Sequence, residues 1–283
     1  MTDAHCHVSC GDPSVREFIV GRDFFGIHPW ETLTATTTTL TATTSALNDP
    51  TQTPIDLDST LIDSTQTPID LIDSTQTLID PNSSRVMAAL RARLLANPRA
   101  GVGEIGLDRL KVRDIPPLMR EVFEQQLALA LELRRPVVLH GAKCWGQVVE
   151  TIKNYELRIK NYGIKPPSIH NSSLPIHDSS FIIHNSFLFH GFSRSAGLIP
   201  DIVALNGYIS VGPAVLNDHA VNYRELVKKI PMDRLLVETD RTDGTGVSIY
   251  DVLARTAELR GTSAAELERI TDANADAFMG KMV

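Results

Sequence analysis

The sequence predicts an α/β fold in which a parallel sheet, wrapped by helices, closes into a (β/α) barrel. Three observations lead there. Short apolar runs alternate with helical patterns over most of the chain, the order that a parallel sheet with helical crossovers produces. The runs are apolar throughout rather than at every second position, as strands buried on both faces are. Residues able to bind a cation stand at the C-terminal ends of successive runs. A barrel collects its chemistry at that rim, whereas an open doubly wound sheet concentrates it at one switch point.

The first strand closes on Asp3-Ala4-His5-Cys6-His7. Alternation sends both imidazoles to one face and turns Cys6 away from them, into packing. Further strands are read at residues 24–28, 101–105, 137–140, 187–190, 208–211 and 235–238. Helical patterns occupy 86–95, 118–133, 145–153, 223–229 and 249–259. The last helix opens on the capping box Ser263-Ala-Ala-Glu266 and ends near Gly280. The stretch between His7 and Gly26 is short, and residues 17–20 are a poor strand candidate, so the count is seven clear strands.

Two segments differ in composition from the rest. Residues 33–84 carry Thr51-Gln-Thr-Pro-Ile-Asp-Leu57, again as Thr65-Gln-Thr-Pro-Ile-Asp-Leu71, and a third, altered copy from Thr75. Residues 154–186 repeat Ile169-His-Asn-Ser-Ser, Ile176-His-Asp-Ser-Ser and Ile183-His-Asn-Ser. Small polar repeats of this kind cannot bury a core of their own. Both segments read as weakly structured insertions in a single domain spanning 1–283. The first follows a strand and so leaves from the catalytic rim. The second lies between a helix and the next strand, on the far face. His170, His177 and His184 recur every seven residues and read as a by-product of the repeat.

Bulk properties narrow the functional classes. A net charge of −7 leaves no overall basic footprint, so a nucleic-acid substrate would need local cations and bound metal to offset repulsion. Three cysteines without paired spacing argue against a disulfide framework. No apolar run approaches ~18 residues and no charged-then-apolar leader opens the chain. The expectation is a cytoplasmic enzyme with no membrane contact, and no feature calls for an obligate protein partner.

His5 and His7 begin a divalent-metal site. Glu104, His140, His190 and Asp240 each end a short apolar run. A carboxylate buried at a barrel mouth costs several kcal/mol unless a cation or donors satisfy it. For Glu104 and Asp240 the alternative is a buried salt bridge, with Arg109 and Arg241 as candidate partners. His28 lies at the same rim. Lys143, three residues past His140, can meet a phosphate as a point charge.

Taken in order, Asp-Ala-His-Cys-His, Gly26-Ile-His-Pro29, Gly103-Glu-Ile-Gly-Leu-Asp108, Pro136-Val-Val-Leu-His140, His190-Gly-Phe-Ser193, Glu238-Thr-Asp240 and Ile270-Thr-Asp-Ala-Asn274 resemble the successive motifs of TatD-type metal-dependent deoxyribonucleases. The resemblance implies a TIM-like barrel of the metal-dependent, amidohydrolase-like hydrolase type holding two divalent ions (Mg, Mn or Zn). It implies that His5, His7 and Asp240 bind one ion, that His140 and His190 bind the other, and that Glu104 bridges them. His28 becomes a substrate contact. The implied reaction is phosphodiester cleavage of DNA, as an exonuclease, by a two-metal-activated water with Asp240 and Glu104 as catalytic residues. Where many members carry arginine two residues after the strand-end histidine, this chain has Ala142 with Lys143 next. Two alternatives keep the same residues: hydrolysis of a small phosphoester, cyclic amide or aminoacyl ester, and a decayed, non-catalytic homologue.

Overall fold

The computed structural model describes residues 1–34, 81–162, 185–193, 196–243 and 246–280. Eight strands alternate with helices. They are β1 (Thr2–Cys6), β2 (Arg16–Ile19), β3 (Phe24–Phe25), α1 (Pro29–Thr34), α2 (Pro81–Ala96), β4 (Gly101–Asp108), α3 (Pro117–Leu133), β5 (Val137–Ala142), α4 (Trp145–Tyr162), β6 (Phe187–Phe189), α5 (Ile199–Ala204), β7 (Gly207–Val211), α6 (Val221–Val227), β8 (Leu235–Val237), α7 (Ile249–Arg260) and α8 (Ala264–Met279). Strands β3 to β8 form a parallel sheet in sequence order, and β1 pairs with β2, also in parallel. The two sheets meet at both edges. A bridge joins Val20 to Phe24, and at the other seam the Asp240 amide donates to the His5 carbonyl at 3.0 Å. The strands therefore run in order around a TIM-type barrel.

The eighth strand corrects the count of seven. Strand β2 opens on the polar Arg16 and Glu17. Glu17 is nevertheless buried, because the Ser9 hydroxyl and the Cys10 amide donate to its carboxylate. Local donors from the preceding loop make a polar strand residue tolerable inside.

The core has two layers. Ala4, Phe18, Phe24, Val138, Leu188, Tyr208 and Leu236 come from seven different strands and fill the barrel interior with Ala275 and Phe278 of α8. Phe278 stacks on Phe24 at 6.0 Å between ring centroids and meets Tyr208 at 5.9 Å, closing the end opposite the strand C-termini. Strand β4 contributes Gly103 to this layer, where a Cβ would stand 2.7 Å from Val138 Cβ. The outer layer packs the helices against the strands, with Val102, Ile105 and Leu107 facing Phe123 and Leu127 of α3 among others. The helix ends follow their sequence signals. Ser263 caps α8 by accepting from the Glu266 amide, and Ser248 caps α7.

The insertion boundaries shift. Leu33 and Thr34 belong to α1, and residues 81–84 open α2. Helix α4 continues through residues 154–162, and Asn185 is fixed by hydrogen bonds to the Ala130 and Arg135 carbonyls. The repeats, with His170, His177 and His184, lie outside the described residues. The flanks of 163–184 are the C-terminal end of α4 and the N-terminal end of β6, on the side away from the strand C-termini. Among the described residues no helix is long and apolar enough to cross a membrane, and Cys6, Cys10 and Cys144 are free thiols.

Candidate metal centre

Two irregular strands aim the central ligands. In β1 the register passes from Asp3↔Glu17 to Cys6↔Ile19, one residue more on β1 than on its partner. In β4 it passes from Val102↔Val137 to Ile105↔Leu139, again one extra residue. A bulge of this kind lets two successive side chains share a face. Ala4 packs in the interior while the next residue, His5, reaches the site. Gly103 lies in the interior while Glu104 follows it inward. Beyond Glu104, Gly106 allows β5 to approach, since a Cβ there would stand 2.0 Å from the His140 carbonyl oxygen at a φ of +147°. The other inward-facing residues of the site need only strand parity. His140 follows Val138, His190 follows Leu188, and Glu238 follows Leu236, each two residues above the interior layer.

Glu104 lies at the centre, 4% exposed. Its Oε2 faces His5 Nε2 at 3.5 Å and His7 Nε2 at 3.7 Å. Asp240 Oδ1 is 3.6 Å from each of those nitrogens. Glu104 Oε1 meets His140 Nδ1 and His190 Nε2, both at 2.5 Å, and stands 3.6 Å from His28 Nε2. The structure thus brings together all six residues singled out as ligands and places His28 beside them. His28 is oriented by the Trp30 amide, which donates to its Nδ1 at 3.2 Å. The segment carrying it is held by the buried Gln126, which bonds both the amide and the carbonyl of Ile27.

The donor spacing tests whether a metal fits. Four tetrahedral donors at ~2.1 Å from a divalent ion are separated by about 3.4 Å, whereas hydrogen-bonded N and O lie at ~2.7–3.2 Å. The set of His5, His7, Asp240 and Glu104 Oε2 has the wider spacing. Both ring nitrogens of His5 are buried without a hydrogen-bond partner, at a position where an imidazole without one is costly. This set fits a divalent ion. In the second set, His140 and His190 with Glu104 Oε1, the donor types fit and the spacing is that of direct hydrogen bonds.

The electrostatics suit cation binding at the first set, and at the second set a cation would have to displace the proton that Glu104 holds on His190. Burial and the charge on His190 push His5 down to about 4, so it is neutral near pH 7, as a ligand must be. Burial opposes ionisation of Glu104, but the charge on His190 and hydrogen bonds from His140, His190 and His28 hold it well below the usual carboxylate range. Burial would lower His190, and the adjoining Glu104 carboxylate instead raises it to about 10. Asp240, also opposed by burial, is lowered by its hydrogen bond with His7 and the charges on His190 and His5. Its side chain remains 46% exposed, on a backbone with φ of +50°, and borders a cleft of about 970 Å³ shared with Gly191, Gly212, Tyr223 and Glu238.

The salt-bridge alternative for the two carboxylates fails. Arg109 donates to the Arg113 carbonyl, and Arg241 lies 3.6 Å from Glu17. Lys143 is exposed in the turn after β5, with φ of +57°, at the rim and outside the donor cluster. His28, read as a substrate contact, sits within ligand reach of Glu104 instead.

Two buried partners escaped the sequence reading. Asp108 accepts from His140 Nε2 at 2.7 Å, and Glu238 lies 3.9 Å from His190 Nδ1. Glu238 is itself held by the Gly191 amide and the Ser210 hydroxyl. Parity was the available signal, since 104, 106 and 108 share a face, as do 238 and 240.

A family model described as TatD related DNase matches residues 15–280. The chain is 31% identical over 139 residues to the uncharacterized metal-dependent hydrolase YabD of Bacillus subtilis, covering 49% of this chain and 45% of that protein. It is 26% identical over 194 residues to the 3'-5' ssDNA/RNA exonuclease TatD of Klebsiella pneumoniae, covering 63% and 64%. A human 3'-5' RNA nuclease, TATDN2, is 31% identical over 152 residues, 52% of this chain and 16% of its own length. The crystal structure of the TatD homologue YJJV of Escherichia coli superposes with a TM-score of 0.52 at 25% identity over 68% of each chain. Among the first of these curated relatives the chain spans about half of the partner's length.

Proposed function

The chain belongs to the TatD-related DNase family, and from that premise we propose that it is a divalent-metal-dependent nuclease that removes nucleotides from DNA by phosphodiester hydrolysis. One observation carries the reading: the two oxygens of a single buried carboxylate, Glu104, face two separate sets of imidazole and carboxylate donors. His5, His7 and Asp240 would hold one divalent ion with Glu104 Oε2. His140 and His190 would hold a second with Oε1, and His28 adjoins that set. Ions of the Mg, Mn or Zn kind, when bound, acidify a water and neutralise the charge that gathers on the phosphoryl oxygens. The chain's own residues do the rest. Asp240, ionised and open to the cleft, accepts the proton of the attacking water. Asp108 holds the His140 ring in register, as partners behind metal-binding histidines do. Cleavage from the 3′ end is supported by the similarity to the 3'-5' ssDNA/RNA exonuclease of Klebsiella pneumoniae.

The test uses the purified chain with 5′-labelled single-stranded and duplex DNA and with RNA, in Mg²⁺, Mn²⁺, Zn²⁺ or EDTA. Metal-dependent shortening of DNA from the 3′ end is the expected result. Intact DNA beside metal-dependent cleavage of a small phosphoester or cyclic amide would move the substrate to that class. Metal bound with nothing hydrolysed would leave a non-catalytic homologue.

A further inference from the structure

Trp30 is 39% exposed, although it stands next to a buried polar cluster. Its ring lies 5.1 Å from His28 and 6.3 Å from His140, both in T-shaped geometry. The ring is thus held against both imidazoles while it stays partly open to solvent. Lys111 Nζ sits 4.3 Å from the ring centroid. An aromatic face beside cations is what a stacked base uses, and this ring has a local cationic setting. The loop between β4 and α3 carries Arg109, Lys111 and Arg113, all exposed, and Lys143 lies in the following rim turn. Against a net charge of −7, this arc is the local exception near the site that a polyanionic substrate requires.

We infer that Trp30 and Lys111 form a substrate subsite, in which the indole face stacks on a nucleobase and Lys111 meets the adjoining phosphate. The subsite rests on the nuclease reading and specifies it: the enzyme would grip a strand by an unpaired base, which favours single-stranded ends. Every base has a π-face, so stacking of this kind binds without reading sequence. Lys111 is carried on a flexible stem and can leave the indole face for the phosphate when a base arrives. The platform adjoins the centre, because its ring packs on His28 and His140, which both reach Glu104 Oε1. A base resting on Trp30 is then held at a set distance from the donors around Glu104.

The chain has two tryptophans, and Trp145 is buried against Phe189 and Phe192, so ligand-dependent emission reports on Trp30. Titrating the full chain in Mg²⁺ with dAMP should quench the fluorescence, and deoxyribose 5-phosphate should not. Trp30→Phe should abolish the quench. In hydrolysis, Trp30→Ala should raise KM for base-bearing single strands by roughly 5- to 150-fold, the span of base–aromatic stacking. Strands with abasic termini should be little affected, and Trp30→Phe should restore much of the loss. Lys111→Ala should raise KM for both strands alike. No quench by dAMP, or equal KM changes for base-bearing and abasic strands in Trp30→Ala, would overturn the subsite. Absence of metal-dependent hydrolysis in the parent would overturn the nuclease reading instead, and the dAMP titration would still decide the subsite.

Discussion

Replacing Glu104 by glutamine tests the centre most directly, because one side chain faces both donor sets. The change preserves shape and removes the charge. Set one keeps His5, His7 and Asp240, while set two is left with imidazoles alone. Loss of a partner merely behind a ligand costs 10–100-fold in metal affinity, so a hundredfold loss is a modest figure for the bridging ligand itself. With the ion at about 1,000 times its dissociation constant, binding stabilises the parent by about 4.1 kcal/mol. A hundredfold weaker site leaves about 1.4 kcal/mol. For a domain of this size each kcal/mol moves Tm by about 2–4 °C. The metal-induced rise should therefore fall from about 8–16 °C in the parent to about 3–6 °C in Glu104→Gln. Calorimetric scans with metal and with EDTA measure the difference within each protein, so any change in the metal-free Tm cancels. Elemental analysis should show lower metal content in parallel. An undiminished metal-induced rise, with hydrolysis at the parental rate, would refute the assignment of Glu104 as the shared ligand.

Asp240→Asn should keep most of the metal bound through His5, His7 and Glu104 yet lose kcat by about 10²–10⁴-fold, the usual value of general-base assistance. Equal losses of metal and rate would make Asp240 a ligand without a proton to carry. Gly103→Ala places a Cβ 2.7 Å from that of Val138, and overpacking of this kind costs about 1–3 kcal/mol. Its Tm should drop, with metal affinity, as Glu104 is displaced; a melt superimposable on the parent would show that β4 can shift at no cost. Replacing residues 163–184 by a short Gly/Ser linker between Tyr162 and the segment beginning at Asn185 should leave metal-dependent hydrolysis near the parental rate, since both flanks lie away from the strand C-termini. A folded product without activity would contradict that placement.

Much of this protein follows from short-range pattern. Strand parity is a local property, so His140 above Val138 and His190 above Leu188 were readable as inward-facing without knowing what lay opposite. The capping serine of α8 and the αβ alternation are local in the same way. The ligand types at strand ends followed from the cost of burying a carboxylate or an imidazole unsatisfied.

What escaped the sequence depends on partners far apart in the chain. Strand β2 can bury Glu17 only because Ser9, Cys10 and Arg241 surround its carboxylate. The bulges at His5 and Glu104 are mismatches between two strands, and no single strand records them. Which nitrogen of His140 faces Glu104 is decided by Asp108 holding the other. The sequence by itself determined that His140 and His190 face the barrel interior, because side-chain direction repeats every two residues. Only the tertiary structure decided their distances, their charge states and the setting of Trp30 beside them, because those depend on contacts between residues that the sequence keeps apart.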